Sequence, residues 1–184
     1  MEKSNLKPFL RNNLDILFIG LNPAKGSSDN RHYFSVNQAF WNQLYDSGLI
    51  TSPVDKMEAD DLIFGDSKQN LNNFNYGVTD LITEIAESDS KKIKPTRNDV
   101  KRLIEVIIEY KPKIVIILHS KVLSNLFKYL GKDAPSSNQG ILGKLLNQSN
   151  SIFYTIAFPH GNTITSIQKI RNYEKVKENL VRYG

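Results

Sequence analysis

The sequence predicts an α/β fold, a three-layer α/β/α arrangement around a central four-stranded, mainly parallel sheet. Two observations carry that prediction. Four short apolar runs, rich in β-branched and aromatic residues, are nearly continuous rather than alternating, as strands buried on both faces are. Segments with helical spacing of apolar residues separate them, and strands alternating with helices place a parallel sheet between two helical layers.

The expected strands are 14–21 (LDILFIGL), 77–82 (GVTDLI), 113–118 (KIVIIL) and 152–158 (IFYTIAF). Helix 37–47 is expected from Phe40, Trp41, Leu44 and Tyr45. Helix 98–110 follows from Val100, Leu103, Ile104, Ile107 and Ile108, and 121–130 and 173–183 obey the same spacing. Polar stretches at 66–75, 87–97 and 133–140 read as loops or surface turns within one unit. A single domain over 1–184 is therefore expected, a length that suffices for a substantial core.

Composition narrows the chemistry. Cysteine is absent, which excludes disulfides, thiolate nucleophiles and cysteine-ligated zinc or iron–sulfur sites. The three histidines, His32, His119 and His160, are far apart and share no helical metal-ligand spacing, so neither metal nor cofactor is expected. No run approaches the roughly 18 apolar residues of a membrane span, and the start of the chain lacks a secretory apolar stretch. A cytoplasmic monomer with no membrane attachment is the expectation. The formal charge of +5 and pI of about 9.3 favour contact with a polyanion such as nucleic acid.

In a parallel sheet, ligands bind beyond the carboxyl ends of the strands. The residues there are Asn22-Pro23-Ala24-Lys25, Thr79-Asp80, His119-Ser120-Lys121 and Pro159-His160-Gly161-Asn162. GLNPAKGSS matches neither dinucleotide nor P-loop phosphate fingerprints. It is similar instead to the first motif of the mismatch-specific uracil/thymine-DNA glycosylases, within the uracil-DNA glycosylase superfamily. In that motif a strand ends in Gly-hydrophobic-Asn-Pro-Gly. The counterparts are Gly20-Leu21-Asn22-Pro23-Ala24, then Tyr33-Phe34, Phe40-Trp41 and Ser47-Gly48-Leu49. The resemblance continues through Tyr76-Gly77-Val78-Thr79-Asp80-Leu81 and KRLIEVIIEYKPKIVIILHSKVL to FPHGNTITS, nearly the whole chain.

The resemblance implies hydrolysis of the N-glycosidic bond of uracil or a related deaminated base in DNA, without a cofactor. Such an enzyme extrudes the nucleotide into a pocket. Asn22 matches the water-positioning residue. Its amide oxygen can accept a hydrogen bond from water but cannot act as a true base. His160 falls where the second motif places a donor to the departing base, although Gly161-Asn162 replaces Pro-Ser. Gly20, Leu21, Asp80 and His119 become base-pocket residues, and either Tyr33 or Phe34 supplies the stacking face. Asp80 suits a donor such as an imide N–H, or else caps a helix starting at Leu81. For His119 a packed structural role competes with the cleft.

The implied DNA contacts are Lys25, Ser27, Ser28, Arg31, Lys121 and Lys169, with Arg171 beside them and Gly161, Asn162 and Ile164 forming a wedge loop. The competing expectation is a weakly active or inactive member of the superfamily that binds damaged or single-stranded DNA. The altered second motif and Asp80 motivate that alternative.

Overall fold

The computed structural model describes residues 1–183. Its elements in chain order begin with β1 (Glu2–Lys3), β2 (Ile16–Gly20), α1 (Lys25–Asn30), α2 (Ala39–Asp46), β3 (Tyr76–Asp80) and β4 (Ile85–Ala86). They continue with α3 (Arg97–Tyr110), β5 (Ile114–Ile117), α4 (Ser120–Tyr129), β6 (Gly140–Gly143), β7 (Ile152–Thr155) and α5 (Ser166–Tyr183). The main sheet has the order β3-β2-β5-β7-β6, and β1 and β4 form a separate antiparallel pair. The four expected strands are its parallel members. The fifth, β6, corrects the expected count of four: it pairs antiparallel with β7 across a register shift. A four-residue edge strand flanked by left-handed glycines, with Ile141 52% exposed, carries almost no apolar signal.

Alternation along the strands sorts the core into two layers. Phe18, Val78, Ile116 and Tyr154 face Phe40, Trp41 and Leu44 of α2 and Tyr173, Val176 and Leu180 of α5. Leu17, Ile19, Val115 and Ile117 face Val100, Leu103 and Ile107 of α3 and Val122, Leu123 and Leu126 of α4. β2, β5 and β7 therefore have apolar partners on both sides, which is why their runs are continuous.

Helix ends follow local chemistry. Thr96 and Asp99 form a capping box at α3. At α5, Gln168 N–H donates to Thr165 Oγ1, and Gln168 Oε1 accepts from Thr165 N at 2.9 Å. That cap starts α5 seven residues before the expected 173, and its Thr-x-x-Gln spacing was legible in the sequence. The expected loop after β2 contains the short α1, and 61–66 forms one π-helical turn. Among the described residues, no helix is long and apolar enough to cross a membrane.

Candidate base-binding cleft

The chain reverses direction across the sheet between β2 and β5, since β3 adds on one side of β2 and β5 on the other. The carboxyl ends of these strands, with the segment after β7, enclose a cleft of about 570 Å³. Gly20, Leu21, Asn22, Asp80, His119 and His160 all line it, so four separated segments converge there.

Asn22 follows directly on β2. Its Nδ2 donates to Pro23 O and Glu87 O, both at 2.9 Å, and more weakly to Ile85 O at 3.4 Å. A flipped amide would set its oxygen against these carbonyls, so the hydrogen bonds fix the orientation. Oδ1 has no protein donor among the described residues and remains an acceptor at the cleft wall. Glu87 N–H donates in turn to Pro23 O, tying the two segments together.

The 31–34 loop is anchored by a buried carboxylate. Asp60 Oδ1 lies 2.7 Å from His32 Nδ1, and Asp60 Oδ2 accepts from Tyr33 N at 2.7 Å. Phe34 adopts a left-handed backbone conformation (φ 52°), unusual for a side chain of this size. Its ring stacks on Phe40 at 3.9 Å and 26°, and Trp41 Nε1 donates to its carbonyl. Both aromatics line the cleft, Phe34 half-buried and Tyr33 4% exposed with its ring packed into the core.

Asp80 ends β3 and is 5% exposed. Oδ2 is buried without a hydrogen-bond partner, and Oδ1 lies against Gly20, where a Cβ would collide with it. Burial pushes the carboxyl up to about 7, against the opposing pull of Arg102 and of the Tyr33 hydroxyl. Burial chiefly, with the Asp80 charge second, pushes the Tyr33 phenol up in turn. Arg102 Nη2 donates to the backbone carbonyls of Asp80 and Leu81. The chain turns after Asp80 and the next long helix starts at Arg97, so Asp80 caps no helix at Leu81.

His119 takes both of its alternative roles. Its Nδ1 accepts from Lys121 N at 3.1 Å as the α4 cap, and its ring lines the cleft. Accepting at Nδ1 leaves the neutral ring its proton on Nε2. Burial, then the Lys121 charge, lowers its pKa. His160 is exposed on the rim, and its ring meets the Phe158 edge at 5.1 Å. Burial, then Lys169, lowers its pKa also. The loop beyond is self-braced: Gly161 has φ 73°, and Asn162 Nδ2 donates to Phe158 O while its Oδ1 accepts from Ile164 N.

Several expected phosphate contacts are committed elsewhere. Lys169 is 2% exposed, with Nζ donating to Pro159 O at 3.1 Å. Lys121 Nζ donates to Ile93 O at 2.8 Å and to Ser90 O. Ser27 and Ser28 are buried, and Ser28 Oγ accepts from Asn5 N. Lys25 pairs with Glu2 at 3.2 Å. Arg31 and Arg171 are exposed, and Ile164 is half-buried beside the cleft segment. Charge and sequence position do not reveal such commitments, because backbone carbonyls capture these ammonium groups only once the chain has folded.

Sequence reasoning missed Asp60, Glu87 and Ser137. The first anchors the aromatic loop and the other two line the cleft. The segment holding Ser137 is tied to the end of β7, with Thr155 Oγ1 donating to Ser137 O and Ala157 N to Asn138 Oδ1. None of these residues sits in a recognisable motif; only Asp60 carried a signal, as a cap before 61–66.

No curated protein compared with the chain matches it significantly. The family model for the uracil DNA glycosylase superfamily matches residues 8–179, which takes in every strand of the main sheet and every lining residue of the cleft except Leu6. The chain belongs to the uracil DNA glycosylase superfamily.

Proposed function

We propose that this protein is a monofunctional DNA-base glycosylase that hydrolyses the N-glycosidic bond of uracil or a related deaminated base. The observation that carries the reading is the Asn22 amide. Its nitrogen is consumed by backbone carbonyls, and its oxygen is left free at the wall of the cleft. Superfamily membership supports DNA as the substrate. An asparagine in the water-holding position, followed by an aromatic loop, supports kinship with the mismatch-specific branch.

In this mechanism the flipped base stacks on Phe34, and a water donates one hydrogen bond to Asn22 Oδ1. Cleavage of the C1′–N bond sends its electron pair to the base. The water oxygen bonds to C1′, the surplus proton passes to solvent, and the base anion is then protonated. The amide holds the water without deprotonating it, so positioning and electrostatics supply the acceleration. His160, neutral because its pKa is lowered, donates toward the departing base oxygen. Arg31 and the 161–164 loop are assigned to the DNA strand, and the protein acts as a single-domain monomer.

The test is single-turnover release of base from uracil-containing duplexes. Asn22→Ala should lower the rate about 100-fold or more, as loss of a key positioning group does, with the thermal melting profile retained. Unchanged release by that variant would overturn the assignment of the water site.

A further inference from the structure

Lys169 is a buried cation that the mechanism above leaves unused. It belongs to α5, is 2% exposed, and has no carboxylate within ion-pair distance among the described residues. Its single hydrogen bond goes to Pro159 O at 3.1 Å, one residue before His160. The same carbonyl accepts from Gln43 Nε2 of α2 at 3.0 Å. Two side chains from two helices therefore grip the backbone that carries the cleft histidine. Around this grip the polar inventory is unbalanced: Gln43 Oε1 and the Tyr173 hydroxyl, one turn along α5 from Lys169, are buried without partners. Buried polar groups are ordinarily satisfied, and a buried unpaired charge is costlier still. Such a cluster therefore points to a role beyond stabilising the fold.

We propose that Lys169 is a positioning residue for base release. With Gln43 it clamps the Pro159 carbonyl and so sets the His160 loop, and its uncompensated positive charge acts on the His160 imidazole. The inference rests on the His160 reading proposed above. The clamp fixes where the imidazole sits on the rim, and the cation beneath disfavours a second positive charge on the ring. A neutral imidazole can still donate a proton bond to the departing base. Phe158 packs on one side of the ring, and among the described residues Lys169 is the charged group that bears on it.

The experiment compares the wild-type protein with K169M, K169R and Q43L. It reads the His160 titration midpoint by NMR and single-turnover uracil release across pH. K169M swaps an ammonium for an apolar chain of similar length, a change that buried sites tolerate. The midpoint should rise in K169M by up to about one pH unit, with release slowed about tenfold or more. K169R keeps charge and donor and should stay near wild type in both. Q43L removes the neutral donor alone and should slow release without moving the midpoint. An unmoved midpoint in K169M, or release within about twofold of wild type, overturns the proposal. Should K169M fail to fold, a Q43L that matches wild type in rate overturns the clamp, and one that is slowed at an unchanged midpoint supports it. If neither the wild-type protein nor any variant releases base, the proposed activity falls, and the NMR midpoints still decide whether Lys169 acts on His160.

Discussion

Asp80→Asn isolates the effect of one buried carboxyl. Burial raises Asp80 from the ordinary 3.8 to about 7. At about 1.4 kcal/mol per pH unit, that rise corresponds to roughly 4 kcal/mol. The sign follows from proton binding. The folded carboxyl holds its proton more tightly than the unfolded one, so the folded state carries more protons throughout this interval. The stabilisation by that proton is fully present below pH 3.8 and is lost as pH rises to about 7. Asparagine fills the same space with no ionisation to disfavour. D80N should therefore gain on wild type with rising pH, by up to about 4 kcal/mol between acid and pH 8, with most of the change below neutrality.

The assay is urea unfolding of both proteins at half-unit steps from about pH 4.5 to 8.5, with a common slope against denaturant. Other titrating groups are shared and cancel in the difference. A difference that stays constant with pH would refute the reasoning and place the carboxyl in contact with water. The same ionisation lies at the cleft where the base is proposed to bind. A neutral carboxyl both donates and accepts, as a uracil edge with adjacent N–H and C=O requires, whereas a carboxylate only accepts. Uracil release should accordingly decline above pH 7 in wild type and stay level in D80N up to pH 8.5, measured by single-turnover kinetics.

Two more substitutions probe the neighbourhood. Asn22→Asp turns a carboxylate oxygen toward the carbonyls of Pro23 and Glu87, and should cost about 2 kcal/mol or more in urea melts at pH 7 without raising activity; faster base release would show that the amide orientation is wrong. Gly20→Ala drives a methyl group into Asp80 Oδ1; a loss of about 1–3 kcal/mol and weaker capture of the base are expected, and a wild-type melting temperature would mean that the two strand ends are not in register.

Most of the sheet was legible because parallel strands buried on both faces must be apolar along their whole length. The runs ending at Leu21 and Leu118 left little choice. The edge strand β6 escaped because GILG faces solvent on one side and bends at both glycines. In the candidate site, the placement of Asn22 and His160 at the cleft was legible through motif and order. Tyr33 and Phe34 could not be separated, since both are aromatic and adjacent. Only the left-handed backbone at Phe34 and the Asp60 anchor decide which of the two cleft rings is the more deeply buried.

By itself the sequence determined the layer order, the strand ends where the candidate residues collect, and the superfamily, because periodicity and local motifs are written residue by residue. Tertiary structure alone decided how each polar group is occupied. Asn22 keeps its oxygen free because carbonyls from a segment over sixty residues away hold its nitrogen. Asp80 changes from a simple acceptor to a carboxyl poised near neutrality because the sheet removes it from water. Lys169 moves from an expected phosphate contact to a buried donor because α5 and α2 both deliver side chains to the Pro159 carbonyl. Protonation state, orientation and burial depend on neighbours brought together by long-range packing, which no local pattern encodes.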